Sequence, residues 1–147
     1  MQMQHEFNLA RFVDAQAGAY AAALNEIRHG RKRTHWMWFV FPQIAGLGRS
    51  DMAMLFAISS LGEAQAYLAH PVLGQRLYEC VDALQALVGV SAQEVFGQVD
   101  AAKLRSSLTL FAQAGGAPII EAALLRWFGS ADPLTLEILK QQGGSEA

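Results

Sequence analysis

An all-α fold, a compact multihelical single domain with short helices crossing at varied angles, is predicted by three features of the 147-residue sequence. Apolar residues recur at three- and four-residue spacings, strand-like alternation is absent, and residues that start and stop helices return at short intervals. Elements this short do not suit a simple four-helix bundle, which needs longer uninterrupted helices. Hydrophobic residues make up 52% of the chain and charged residues only 16%, so one buried core is affordable and disorder is not expected.

Asn8 is placed to cap a first helix that carries Leu9, Phe12, Val13, Tyr20, Leu24 and Ile27 on one stripe and stops at Gly30. Phe7 and Phe12 have hydrophobic-staple spacing, and Arg11, Asp14, Asn25 and Arg28 are left for water. Residues 36–41 are apolar without polar alternation, so helix and strand both fit. Thr34 as a cap and Pro42 as a stop favour a short helix buried on most sides.

Ser50 can cap a segment through Ile58, and Ser60 with Glu63 has capping-box spacing ahead of Leu61 to Ala69. Pro71 opens the next helix, striped by Val72, Leu73, Leu77, Val81, Leu84 and Val88 and closed by Gly89. Ser91 and Glu94 repeat the capping-box spacing before Gly97. Asp100 can cap a helix bearing Leu104, Leu108 and Phe111, which Gly115 and Gly116 end. Pro118 opens another through Phe128, and Asp132-Pro133 opens the last, with Leu134, Ile138 and Leu139. The domain therefore spans residues 1–147, with 1–7 and 141–147 expected as flexible ends.

The net charge of −2 conceals an uneven distribution. Between Glu26 and Asp51 stand Arg28, Arg31, Lys32, Arg33 and Arg49 with no acidic residue, while the rest of the chain has six basic and thirteen acidic residues. A positive patch on an acidic body suits a specific anion site and disfavours duplex nucleic acid, which the other faces would repel. No apolar run is long enough to span a bilayer, and the N-terminus has neither part of a secretory signal, so a cytoplasmic, membrane-free protein is expected. Cys80 has no second cysteine to pair with and reads as a small core residue.

Several stretches mark a family: RFVDAQ from Arg11, KRTHWMWFVFPQIAGLGRS from Lys32, EAQAYLAHPVLGQRL from Glu63, VFG at Val95 and DAAKLRSSLTLF from Asp100. In order and over nearly the whole chain, they resemble the bacterial domain-of-unknown-function family numbered 1810, some members of which carry a calpastatin label. The resemblance implies a mainly helical single-domain fold and no established activity. Leu108 stands where the last motif has methionine, a volume-conserving change.

The chemistry is concentrated where the basic cluster meets the aromatics. Arg31, Arg33 and Arg49 are candidates to clamp a phosphate or carboxylate, Trp36 and Trp38 to pack against a ring, and Gln43 to add a polar contact. His35 stands at the seam and is the candidate general acid or base, being the residue type that exchanges protons near neutral pH. Each has a plainer reading: solvated charges, core aromatics and a structural histidine. Gly46-Leu-Gly48-Arg49-Ser50 offers a weak anion nest without a dinucleotide or P-loop fingerprint. No metal site is expected from four scattered histidines and one cysteine, and no cofactor is implied.

The favoured function is binding of an anionic small molecule, nucleotides included, at residues 31–51. The alternative is a non-catalytic structural or protein-interaction module, a homodimer included. No pattern decides for or against catalysis.

Overall fold

Ten α-helices occupy residues 7–146, the part of the chain described by the computed structural model, with side chains described through Gly143. They are α1 (Ala10–Ala17), α2 (Tyr20–Arg28), α3 (Met37–Val40), α4 (Asp51–Leu55), α5 (Leu61–Ala69), α6 (Leu73–Gln85), α7 (Ala92–Phe96), α8 (Gln98–Gln113), α9 (Pro118–Phe128) and α10 (Pro133–Glu146). The all-α expectation holds. Among the described residues the only extended pairing is an isolated parallel bridge between Ile44 and Ile58. Among the described residues no helix is long and apolar enough to cross a membrane.

The longest helix, α8, is the centre, with α3, α5, α7, α9 and α10 packed around it. Its buried residues, Leu104, Leu108, Leu110 and Phe111 among them, lie all round the helix, as expected for an element covered on most sides. It begins at Gln98 behind Gly97, whose φ of 82° turns the chain out of α7, so Asp100 lies in the first turn and is not the cap. The Ser91/Glu94 capping box forms with both bonds, at 3.1 and 2.7 Å. Asp132 opens α10 by accepting from the Thr135 amide and hydroxyl. That helix continues through Glu146, over residues expected as a flexible end, whereas residues 1–6 and 147 of the expected ends lie outside the described residues.

Several expectations for helix limits are corrected, among them the segment from Ser50, which ends as a helix at Leu55 and not at Ile58. The single first helix is two, broken at Gly18 and Ala19, and Asn8 provides no side-chain cap. Glycine weakens a helix interior. The break lets α1 point Phe12 and Gln16 into the core while α2 lies against α6. The stripe on α6 stops at Leu84: the helix ends at Gln85, and Val88 lies beyond it, 84% exposed. His70, not Pro71, organises the start of α6, its Nδ1 accepting from the amides of Val72 and Leu73 at 3.1 and 3.2 Å.

The aromatic block after the basic cluster is mostly core. Trp36, Phe39 and Phe41 are buried, with Phe96 meeting Trp36 and Phe41 edge-on. Residues 36–41 resolve as one turn of helix, too short to satisfy its own carbonyls. The buried Gln16 amide supplies a donor to the Phe39 carbonyl at 2.6 Å and a second to the Tyr67 hydroxyl at 3.0 Å. Burial pushes the Tyr67 hydroxyl above its ordinary pKa. Cys80 sits in the core as expected, and burial pushes its thiol up to about 12.

Gly74 is where α5 and α6 come closest: a Cβ there would overlap the carbonyl oxygen of Leu68, which is backbone and cannot rotate away. Gly74→Ala is expected to destabilise the fold by about 3 kcal/mol, at the upper end of overpacking effects, despite alanine's better helix propensity. Urea denaturation checks this; an unchanged or higher midpoint would show that the helices separate freely.

Candidate functional site

The basic loop is built around a carboxylate. Glu26, buried near the end of α2, accepts at Oε1 from the amides of Arg33 (2.8 Å) and Thr34 (3.0 Å) and from Trp36 Nε1 (2.9 Å), and at Oε2 from the Thr34 hydroxyl (2.6 Å). Burial alone would raise its pKa. The bonds from the Thr34 hydroxyl, the Arg33 amide, Trp36 and the Thr34 amide outweigh that and hold the carboxyl at about 2. Thr34 thus serves Glu26 and does not cap α3.

Wrapping the loop on Glu26 sorts its side chains. Trp36, expected at a ligand wall, is fully enclosed with its indole N–H on Glu26, so no ligand reaches it. Arg31, Arg33 and His35 point outward and are exposed. Lys32 is drawn in, its Nζ 2.9 Å from Asp100 on α8, bonded to the Thr34 carbonyl and 5.1 Å from the Trp36 ring centroid. That pairing fastens the loop to α8 and neutralises one charge of the cluster. Among the described residues Arg31, Arg33 and Arg49 form no ion pair, and none of the three lines the recess at Trp38.

Trp38 is the member of the aromatic block that stays half-exposed at the surface. With Met37, Phe41, Gln43, Ile44, Gly48, Ala53, Phe56 and Lys103 it lines a recess of about 10 Å³, room for roughly one water. Lys103 Nζ lies 5.7 Å from the Trp38 ring centroid, within cation–π range, and His35 flanks the same indole with ring centroids 6.3 Å apart. Of the expected residues, then, the structure brings together Trp38, Gln43 and His35. It adds Lys103, which arrives from α8: its place in the sequence offers a charge for a site but does not point to Trp38. Asp100 is 3.9 Å from Lys103 but is held more closely by Lys32.

The glycine turn has a packing explanation. Gly46 adopts φ 108°, and a Cβ on Gly48 would come within 2.5 Å of the Ala53 Cβ. These glycines let residues 46–50 lie flat on α4, whose cap is the Ser50 hydroxyl accepting from the Ala53 amide. A helix of five residues offers too little dipole for an anion nest.

Three other polar side chains of α8 tie the fold together. Ser106 and Thr109 bond to carbonyls one turn back and reach across to Asp132 as well. Arg105 clasps the turn before α10 through Ser130 and Ala131.

A small all-helical domain in which a lysine, a surface indole and an amide meet at a shallow recess is the class of protein these features define. The chain belongs to the family described as "Protein of unknown function (DUF1810)", whose model matches residues 6–139. It is similar to the crystal structure of the conserved hypothetical protein Rv1873 from Mycobacterium tuberculosis, at 50% sequence identity and a TM-score of 0.88, covering 92% of this chain and 98% of that one. None of the curated proteins compared matches it.

Proposed function

We propose that the protein is a non-catalytic binding module that takes an anionic partner across the Trp38 face. The observation that carries this reading is Lys103 poised over a half-exposed indole beside the Gln43 amide, with the exposed Arg49 following Gly48 in sequence. A recess of about 10 Å³ does not enclose a nucleotide, so the contact is a surface one. The plainer, non-catalytic role is favoured for His35 because its described contact is with the Trp38 ring, whereas a general base is normally oriented by a hydrogen-bonded third group.

The test is titration of the full chain with poly-L-glutamate and with ATP at low and high salt, read by tryptophan emission. At least one anion should shift the emission, with binding weakened by salt and about tenfold weaker in Lys103→Gln. Trp38→Phe should remove most of the signal. Binding that is indifferent to Lys103, or no response to either anion, would overturn the reading.

A further inference from the structure

Helix α4 buries none of its five residues, and Met52, Met54 and Leu55 are 38%, 64% and 56% exposed. Its backbone is nevertheless firmly held. Ser50 caps it, Gly48 packs against Ala53, and Arg11 donates to the carbonyls of Leu55 and Ala57 at 2.8 and 2.7 Å. A fixed helix that presents two methionines and a leucine to water is a contact surface by the usual rule for grouped exposed apolar residues, and methionine adapts readily to a partner's shape. The same helix borders the Trp38 recess through Ala53, and Phe56 just beyond it lines the recess too, so the exposed apolar residues share one short helix with the edge of the Lys103 site and follow closely on Arg49 in sequence.

We propose that α4 and the Trp38 recess together dock an acidic, apolar polypeptide segment of another protein, an inference that rests on the anionic-partner reading above. Carboxylates of the segment meet Lys103 and Arg49, and its large apolar side chains cover Met54 and Leu55. Charge complementarity selects this occupant. In a two-fold pair of identical chains the same patch meets itself, which sets Lys103 and Arg49 against their own copies. A single-stranded nucleic acid matches the cations but gains little from Met54 and Leu55, which provide no stacking plane.

The experiment is selection of a phage-displayed random dodecapeptide library on the full chain, followed by affinity measurement for a synthesised winner. Enriched peptides should combine Asp or Glu with Leu, Ile, Phe or Met. Their affinity should fall about tenfold in the Met54→Ser/Leu55→Ser variant and in Lys103→Gln, with melting temperatures unchanged because these side chains lie outside the core. Winners that are acidic only and insensitive to Met54 and Leu55 would overturn the docking surface while leaving the anionic reading intact. Winners insensitive to Lys103 would overturn both. Absence of enrichment alongside a positive poly-L-glutamate titration overturns the docking surface alone. Self-association in sedimentation that the Met54→Ser/Leu55→Ser variant abolishes would assign the face to a second copy, and preferential binding of oligo(dT) over the selected peptide would assign it to nucleic acid.

Discussion

Glu26→Ala is expected to destabilise the protein by about 4 kcal/mol and to lower its melting temperature by about 10 °C. The substitution strands four donors at once: the amides of Arg33 and Thr34, the Thr34 hydroxyl and the Trp36 indole. A buried donor left without a partner costs about 1–3 kcal/mol, and bonds to a charged acceptor are the stronger kind. Water reaching the exposed side of the loop recovers part of this, which keeps the total below the simple sum. Glu26→Gln keeps an oxygen for the three N–H donors on Oε1 and turns its NH2 to the Thr34 hydroxyl, which can accept, but it loses the charge that strengthens these bonds, so it should lose about 3 kcal/mol. Urea denaturation with a fixed m-value checks both. Equal stability of Glu26→Ala and the native protein would mean that the loop does not depend on the carboxylate. Because the same bonds turn Trp36 inward and His35 outward, either variant should also perturb the Trp38 face.

The acid behaviour of this group follows from the direction of its shift. The folded carboxyl is held at about 2, against an ordinary value of 4.5, so the unfolded chain binds the proton more readily. The stabilisation is fully present above about pH 4.5 and is lost as the pH falls through about 2, amounting to about 3 kcal/mol over that window. Measured between pH 6 and pH 2, the stability of Glu26→Gln should fall less steeply than that of the native protein, and the two curves should converge at the acid end. Parallel curves would show that Glu26 titrates alike in both states.

Where local chemistry decides an element, the sequence alone is enough to find it. The Ser91/Glu94 capping box, the Ser50 cap and the Pro118 to Phe128 helix are set by residues three or four apart or by proline's fixed φ, and each appears as read. Long-range partners are another matter. A glycine within an amphipathic stripe costs only about 1 kcal/mol in a helix, so whether Gly18 bends or breaks it is settled by packing against α6. The Trp38 face is illegible for the same reason, since Lys103 reaches it from a helix sixty-odd residues further on. Glu26 marked the edge of a charge run, yet nothing in that run says its carboxylate is the loop's organising acceptor. Trp36 and Trp38, two residues apart, differ in fate only because one indole N–H finds Glu26.

Arg11 was expected to face water from the polar side of its stripe, and its replacement should instead rank among the most damaging in the protein. Its guanidinium bonds to Glu63 Oε2 at 3.0 Å and to the carbonyls of Asn8, Leu55 and Ala57, and lies 4.3 Å from the Phe12 ring centroid. Glu63 is buried, and its other oxygen accepts from the Ser59 amide at 2.7 Å. Glu63 therefore stands half in a capping arrangement and half in an ion pair. Arg11→Ala leaves that carboxylate without its cation, and breaking one side of a buried pair costs about 3–5 kcal/mol. Arg11→Lys keeps the charge but loses the fork that spans Leu55, Ala57 and Glu63 together, so an intermediate loss of about 2 kcal/mol is expected. Adding Glu63→Gln to Arg11→Ala should recover part of the loss, because the stranded charge is gone; a double variant weaker than either single one would refute the ion-pair account. Hydrogen exchange distinguishes a local from a global effect. Because Arg11 ties the carbonyls at the end of α4, amides of residues 51–58 should lose protection in Arg11→Lys while those of α8 keep it, and the proposed docking face should loosen with them.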